Sequence, residues 1–202
     1  MGTDTLFSGS MVSASRSRAS KEEILNQHAR IFWMCGLSGA GKSTLASILD
    51  NELTLRGYLC RVIDGDEIRK GLNKGLGFSA ADRQENLRRV AEVAKLFANS
   101  GIITIVSFIT PTEEMRRMIR SIAGEDYCEI FVDAPLEICE QRDTKGLYKQ
   151  AREGKIHDFT GIGSPFEPPV NPDITIDTGK TDVEQSACKL LDFVLQLTEY
   201  TK

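Results

Sequence analysis

The sequence predicts an α/β domain: a largely parallel, five-stranded sheet with helices on both faces. Three observations carry that prediction. From Ile31 to the C-terminus, strand and helix signals alternate, the trace that successive βαβ units leave. The run Ile102–Ile109 is apolar at both odd and even positions, as a strand covered on both faces must be. Finally, the glycine-rich stretch from Gly36 to Ser43 links an apolar run to residues with helical spacing, so strand, loop and helix follow one another without a break.

Each element can be justified in turn. Met1 to Ser20 carries six serines with Arg16 and Arg18 and no apolar period; a mobile tail is expected over residues 1–20, ahead of one folded domain over 21–202. A transit peptide would suit the Ser and Arg content, but Asp4 and the missing amphipathic face argue against it. Lys21–Arg30 looks helical. Strand one is Ile31–Cys35, and the helix after it stops near Arg56, where Gly57 suits a C′ cap. Strand two is Tyr58–Ile63, followed by the turn Asp64-Gly65-Asp66 and a glycine-rich connection over Gly71–Gly77. Ser79, with Asp82 three residues on, caps a helix over Ala80–Asn99 whose apolar stripe is Leu87, Val90, Ala91, Ala94 and Phe97. Ile102–Ile109 is strand three, expected at the sheet centre. Another helix follows Thr112, with Glu113 and Glu114 complementing its dipole. Cys128–Val132 is strand four, and Pro135 opens a short helix to about Arg142. Asp143–Val170 then breaks the alternation with Gly146, Gly154, Gly161, Gly163, Pro165, Pro168 and Pro169. So long a loop in a compact domain is usually functional, and a mobile lid is expected there. Ile174–Asp177 is the last strand, and a box at Thr181-Asp182-Val183-Glu184 starts the last helix.

The loop after strand one, Gly36-Leu37-Ser38-Gly39-Ala40-Gly41-Lys42-Ser43, fits G-x-x-x-x-G-K-[ST] in full. In its strand–loop–helix setting this is a P-loop and predicts a P-loop NTPase fold. Its inward backbone N–H groups and the following helix N-terminus form a cradle for the polyphosphate of ATP, formed by Gly36 through Thr44. Lys42 is then placed to reach the β- and γ-phosphates, and the Ser43 hydroxyl to ligate Mg²⁺.

Composition limits what else the chain can be. With 202 residues, 41% hydrophobic and 27% charged, one soluble domain is expected. A formal net charge of −4 argues against bulk binding to nucleic acid or an anionic membrane. Between Arg61 and Lys95, however, eight Lys and Arg residues face six Asp and Glu residues, enough to hold a small anion. The five cysteines are odd in number, spread out and lack a C-x-x-C pair, pointing to buried thiols in a reducing, cytoplasmic setting rather than to a disulfide or zinc framework. Neither a membrane span nor a signal peptide is visible.

Phosphoryl transfer needs positioning, charge neutralisation and a group that orients or deprotonates the acceptor. Asp64 and Asp66 stand at the carboxyl end of strand two, where ligands of open α/β sheets gather. Asp64 is the first choice for acceptor base or Mg²⁺ partner, with Asp66 the alternative; a solvated Asp-Gly turn is the competing view. Arg69 lies just beyond, while Arg83 and Asn86 share a helix face. Guanidinium groups grip phosphate or sulfate oxygens at two points, so an anionic acceptor is implied. Arg88 and Arg89 fit better as solvated charges with helical partners. Phe78 and Phe159 sit in polar, glycine-flanked loops and suit stacking on a base, with lid-to-body packing the rival. His28 and His157 are isolated and receive no role.

Together, Trp33–Thr44, Asp64–Ser79, Asp82–Arg89, Ser107–Pro111, Cys139–Tyr148 and Gly161–Pro168 resemble the adenylylsulfate kinase family. That family uses ATP and Mg²⁺ to phosphorylate the 3′-hydroxyl of adenosine 5′-phosphosulfate (APS), giving 3′-phosphoadenylylsulfate (PAPS) for sulfate assimilation. The resemblance covers about residues 20–200. It implies that Arg69, Arg83 and Asn86 bind the phosphosulfate, that Phe78 and Phe159 stack on its adenine, and that Ile109 and Thr110 belong to the acceptor pocket. It further implies that Lys145, Leu147 and Tyr148 form part of the lid, that Arg142 lies against the ATP adenine, and that Thr110 stands where a phosphoacceptor serine is common. A homodimer and a functional link to an ATP sulfurylase are also implied. Three departures stand out: Thr110-Pro111-Thr112-Glu113 replaces a common Ser-Pro-Tyr-Arg, Gly163 replaces an acid in the lid, and Glu67 replaces an Asn. An acid pointing inward would weaken binding of an anion. The alternatives are a kinase of this fold for another anionic acceptor, or a nucleotide sensor without turnover.

Overall fold

The computed structural model describes residues 17–201. Five strands, β1 (Ile31–Cys35), β2 (Cys60–Asp64), β3 (Ile103–Ser107), β4 (Tyr127–Asp133) and β5 (Ile174–Asp177), form one sheet in the order β2-β3-β1-β4-β5. Every pairing is parallel, with Trp33 opposite Val106 on one side and Glu129 on the other. The middle strand is therefore β1, and β3, expected at the centre, lies between it and β2. Both are buried at all five positions.

Alternation along β1 divides the core in two. Phe32 and Met34 join a cluster with Leu45 and Leu49 of α2 (Lys42–Leu55) and Leu190 and Val194 of α8 (Val183–Thr198). Ile31 and Trp33 face the opposite side, against Leu87, Val90 and Ala94 of α4 (Ala80–Ala98) and Ile119 of α5 (Glu113–Ala123). Two-sided burial of this kind is what makes parallel strands read as apolar runs. Among the described residues no helix is long and apolar enough to cross a membrane. All five cysteines are free; Cys35, Cys128 and Cys139 are buried as expected, whereas Cys60 is half-buried and Cys188, on α8, is exposed.

Helix boundaries follow the expected caps with some shifts. Helix α1 spans Arg18–Leu25, with Ser17 accepting a hydrogen bond from the Ser20 N–H at its start. Residues 17–20 therefore belong to a capped helix rather than to the expected tail, whose remaining residues, 1–16, lie outside the described ones. Ser79 caps α4 as expected, accepting from the Asp82 N–H at 3.1 Å. The cap of α8 is Asp182 rather than Thr181, accepting from the Gln185 N–H. At the other end of α2, Gly57 has φ +86° and the Tyr58 N–H donates to Leu53 O, the closing pattern that favours glycine.

Two helices escape sequence reading. Asp64-Gly65-Asp66 opens α3 (Gly65–Lys70), with Asp64 as its N-cap. Inside the lid segment lies α7 (Leu147–Arg152), which follows α6 (Leu136–Arg142). Pro135 is the cap of α6 rather than its first helical residue.

Candidate active site

The carboxyl ends of β1, β2 and β3 open into one cleft of about 1150 Å³. The P-loop forms its floor, α3 and the start of α4 one wall, and the lid segment the other. Close approach explains the loop's glycines: a Cβ at Gly36 would sit 2.3 Å from the Val132 carbonyl oxygen, and one at Gly39 2.8 Å from that of Cys139. Gly41, at φ +99°, caps α2 without any side-chain hydrogen bond, which leaves the positive end of that helix directed at the cleft.

Lys42 is folded back onto the loop, donating to Gly36 O at 2.9 Å and Leu37 O at 2.7 Å. Burial pushes its ammonium down to about 8, so an arriving polyphosphate meets a poorly solvated cation. Ser43 Oγ donates to Asp64 Oδ2 at 2.7 Å and lies 3.3 Å from Ser107 Oγ. The other Asp64 oxygen, Oδ1, accepts the Asp66 N–H at 2.9 Å. Capping α3 thus fixes the Asp64 carboxylate beside Ser43. Asp66 points elsewhere: its carboxylate pairs with Lys145 of the lid across the mouth of the cleft.

Arg142 reaches across to the P-loop, donating to Gly39 O at 3.2 Å and to Thr178 O at 2.6 Å. Thr178, unassigned from sequence, donates its hydroxyl to Ala40 O at 2.7 Å and so ties the end of β5 to the phosphate loop. Its place just after a strand's carboxyl end is the signal that could have found it.

On the α3–α4 side, Arg69 lies 4.3 Å over the Phe78 ring and donates to Leu76 O and Gly77 O. Burial, with the Arg83 charge added, pulls Arg69 down from its ordinary value. An anion between the two guanidinium groups would relieve that repulsion. Arg83 holds both walls, donating to Phe78 O at 2.9 Å and, across the cleft, to Asp158 O at 2.8 Å and Thr160 Oγ1 at 3.2 Å. Asn86 is buried, and Asn73 behind it donates to its Oδ1 at 2.7 Å. This leaves the Asn86 NH₂, a pure donor, for a ligand. No spacing rule marks Asn73, because the chain between it and Asn86 is not regular. Arg88 and Arg89 both pair with Glu85, as expected for solvated helix charges.

The two aromatic residues part company. Phe78 is 66% exposed at the cleft rim, available for stacking, whereas Phe159 is 7% exposed. Phe159 packs edge-on against Tyr148 at 5.0 Å, and the Tyr148 hydroxyl donates to Ser38 O. Phe159 thus takes part in lid-to-body packing, the rival expected beside stacking on a base, while still lining the cleft. Leu147 and Ile109 line the cleft. Thr110 also does, but its hydroxyl is turned onto the Trp33 Nε1–H at 2.8 Å and the residue is 1% exposed. In this arrangement the hydroxyl that the resemblance offered as a phosphoacceptor is engaged by Trp33.

The departures resolve outward. Glu67 pairs with Arg61 at 2.7 Å on the exposed side of α3. Thr112 caps α5, and Glu113 pairs with Arg116 at 3.1 Å. Gly163 packs with its Cα beside the backbone of Asp158, where a Cβ would lie 3.3 Å from the Asp158 nitrogen.

Comparison with known proteins agrees with this geometry. The family model described as adenylylsulphate kinase matches residues 28–177. An adenylyl-sulfate kinase of Bacteroides thetaiotaomicron is 54% identical over 184 residues, covering 91% of this chain and 92% of the relative. An adenylyl-sulfate kinase of Clostridium acetobutylicum is 49% identical over 179 residues, covering 89% of this chain and 90% of the relative. Among solved structures, a Mycobacterium tuberculosis APS kinase in complex with AMPPNP and APS superposes with a TM-score of 0.78 at 44% identity, covering 83% of this chain and 98% of that one. A hexameric APS kinase from Thiobacillus denitrificans gives a TM-score of 0.63 at 28% identity; the match covers 85% of this chain and 29% of the other. With a phosphate loop, a carboxylate on its serine and a pair of facing arginines in one cleft, the chain belongs to the adenylyl-sulfate kinase family.

Proposed function

We propose that this chain transfers the γ-phosphoryl group of ATP to the 3′-hydroxyl of APS, giving PAPS and ADP. The observation that carries the reading is the shared cleft: the Ser43–Asp64 pair and the Arg69, Phe78, Arg83 arm open into one space. The triphosphate lies in the Gly36–Thr44 loop, with Lys42 exchanging the Gly36 and Leu37 carbonyls for phosphate oxygens. Arg142, hydrogen-bonded to the Gly39 and Thr178 carbonyls, borders the adenine of ATP.

The donor set suits Mg²⁺. Ser43, Asp64 and Ser107 supply only oxygens, and among the described residues no cluster of three or more His, Cys, Asp or Glu forms a harder-wired metal cage. Mg²⁺ keeps several waters and takes one or two protein oxygens beside phosphate. Ser43, supported by Asp64, would hold it, and the ion would neutralise charge growing on the β- and γ-phosphates.

Acceptor binding falls to Arg69, Arg83 and Asn86, donors arranged for the phosphosulfate, with Phe78 against the adenine ring. Arg83 gives up the Asp158 carbonyl to do so. Lys145, now on Asp66, closes the lid side together with Leu147. Asp64 Oδ2 orients the incoming 3′-hydroxyl and takes its proton as the bond to phosphorus forms. The phosphoryl group passes in line from the β-phosphate oxygen, which leaves as ADP.

A cytoplasmic setting completes the reading, supported by the free thiols. A homodimer is part of it, as the family resemblance implies; the hexameric relative supports self-association without fixing the number of subunits. An ATP sulfurylase upstream is too, because APS is an adenylylated sulfate that must be made from ATP. ADP release from ATP and Mg²⁺, with APS compared against other nucleotides and small anions and the product identified by mass, tests the activity. Release driven by APS with one phosphate added supports it; inert APS beside an active alternative acceptor defeats the substrate assignment.

A further inference from the structure

Behind the acceptor side of the cleft lies a buried ionic cluster that the chemistry above does not use. Arg116 of α5 has a side chain only 2% exposed, set against Glu129 of β4, which is 5% exposed, at 3.6 Å. Its Nε donates to Glu113 Oε2 at 3.2 Å, and its Nη1 donates to the backbone carbonyl of Thr110 at 3.1 Å. Glu129 also accepts from the Tyr127 hydroxyl at 2.9 Å and from Arg120 at 3.4 Å.

Thr110 is the residue this cluster grips, and its backbone needs gripping. Its φ is +47°, a region in which a β-branched side chain is an outlier. Pro111 follows, and a residue before proline is driven toward extended backbone. Local preference thus opposes the observed conformation twice, and contacts from elsewhere must impose it. Two contacts hold Thr110 itself: the Trp33 Nε1–H on its hydroxyl and the Arg116 guanidinium on its carbonyl. The neighbours are held as well. Ile109 O accepts from the Gly36 N–H, Pro111 O from the Glu167 N–H, and the Glu113 N–H donates to Glu167 Oε2. Only Arg116 brings a formal charge to the Thr110 carbonyl, and charged donors make the stronger bonds.

We propose that Arg116 is a positioning residue for the acceptor: by locking Thr110 in the left-handed conformation it fixes the Ile109–Pro111 wall of the cleft. Glu113 and Glu129 neutralise the guanidinium that does this, which gives the unusual acid at position 113 a purpose away from the cleft. The inference rests on the APS kinase reading of the site.

Full-length Arg116→Met and Arg116→Lys proteins, each alone and in a Thr110→Gly background, test it through kinetics with each substrate varied, APS binding by calorimetry, and thermal melting. Arg116→Met is expected to raise the KM and Kd for APS about fivefold or more while the KM for ATP stays within about twofold; Arg116→Lys, still a charged donor, recovers most of the loss. In the Thr110→Gly background the same changes at Arg116 should have less than about half that effect, because glycine takes a positive φ unaided and the two sites are coupled. Parallel loss of both substrates, or an unchanged Arg116 effect in that background, overturns the proposal. Should Arg116→Met fail to fold, the Arg116→Lys pair and Trp33→Phe, expected to raise the APS KM alone, decide the matter. Wild-type protein that binds and phosphorylates APS, with variants losing both substrates alike, defeats this inference and leaves the activity standing; wild type that neither binds nor phosphorylates APS defeats both.

Discussion

Replacing Asp64 by Asn separates chemistry from architecture at the centre of the cleft. The carboxylate does two structural jobs, capping α3 through the Asp66 N–H at 2.9 Å and accepting the Ser43 hydroxyl at 2.7 Å. Asn keeps the shape and one oxygen. As an N-cap it is nearly the equal of Asp, so the fold should lose less than about 0.5 kcal/mol. Toward Ser43 the amide becomes a donor where the carboxylate accepted, and the hydroxyl must turn. A hydrogen bond to a charged group is worth about 1.5–3 kcal/mol and the amide retains part of that, so ATP affinity should fall by about tenfold. Loss of the base is larger. General-base catalysis contributes about 10²- to 10⁴-fold, which corresponds to about 3–5 kcal/mol of barrier. The expected outcome is therefore a collapse of kcat with a nearly unchanged melting temperature and modest change in ATP binding. Single-turnover ADP formation, calorimetric ATP binding and a thermal melt measure the three quantities separately. A fall in kcat below about threefold, set against that expected contribution, would refute the assignment of Asp64 as base. A loss confined to ATP affinity would instead make it a metal partner alone, and the nucleotide sensor would regain force.

Three further outcomes can be checked together. Lys42, held at about 8 by burial against an ordinary 10.5, should take up a proton when ATP binds at alkaline pH. The ATP Kd should weaken about tenfold between pH 7 and 9, and Lys42→Met should abolish that slope, as titration calorimetry in buffers of different ionisation enthalpy can read. For folding the sign is opposite: between about pH 8 and 10.5 the unfolded chain holds more protons at this position, so Lys42 adds stability as pH rises through that window. Phe159→Ala, emptying a packed site against Tyr148, should cost about 3–5 kcal/mol in chemical denaturation. Phe78→Ala, at an exposed site, should leave stability nearly unchanged but raise the APS KM about fivefold, the worth of a stacking contact. Asn73→Asp would set a carboxylate against Asn86 Oδ1, where a donor now spans 2.7 Å. The Asn86 amide must then rotate and turn its oxygen to the cleft, and the APS KM should rise about tenfold with the KM for ATP unmoved.

How much of this was legible beforehand divides along the range of the forces involved. The P-loop, the five strands, the Ser79 cap and the glycine stop at Gly57 depend on a residue and its neighbours within a turn or two, so their patterns lie open in the chain. Membership of one face is also local: Leu87, Val90 and Ala94 of α4 recur at helical spacing and are buried together. Even the pairing of Arg88 and Arg89 with Glu85 follows from helical geometry alone. Sequence spacing by itself determined the fold class, the phosphate loop and the cationic character of the opposing wall.

What only the tertiary structure decided are contacts between segments far apart in the chain. Strand order is one, since β3 comes to lie beside β1 through a crossover that leaves no mark in either strand. Phe159 is another: its glycine-flanked loop leaves base stacking and lid-to-body packing both open, and its burial is seen only when Tyr148, anchored to Ser38, stands across from it. Asp64 stood ahead of Asp66 from sequence, but what separates two acids on one turn lies elsewhere in the chain: one caps a helix beside Ser43 and the other meets Lys145. Thr110 makes the point most fully. Nothing in Thr-Pro announces a left-handed residue, and both local preferences oppose it; Trp33, 77 residues away in sequence, and Arg116 on the next helix supply what the local chain lacks. Local free energies of a few tenths of a kcal/mol choose helices and turns. Long-range burial and charge, worth several times more per contact, choose which side chains meet.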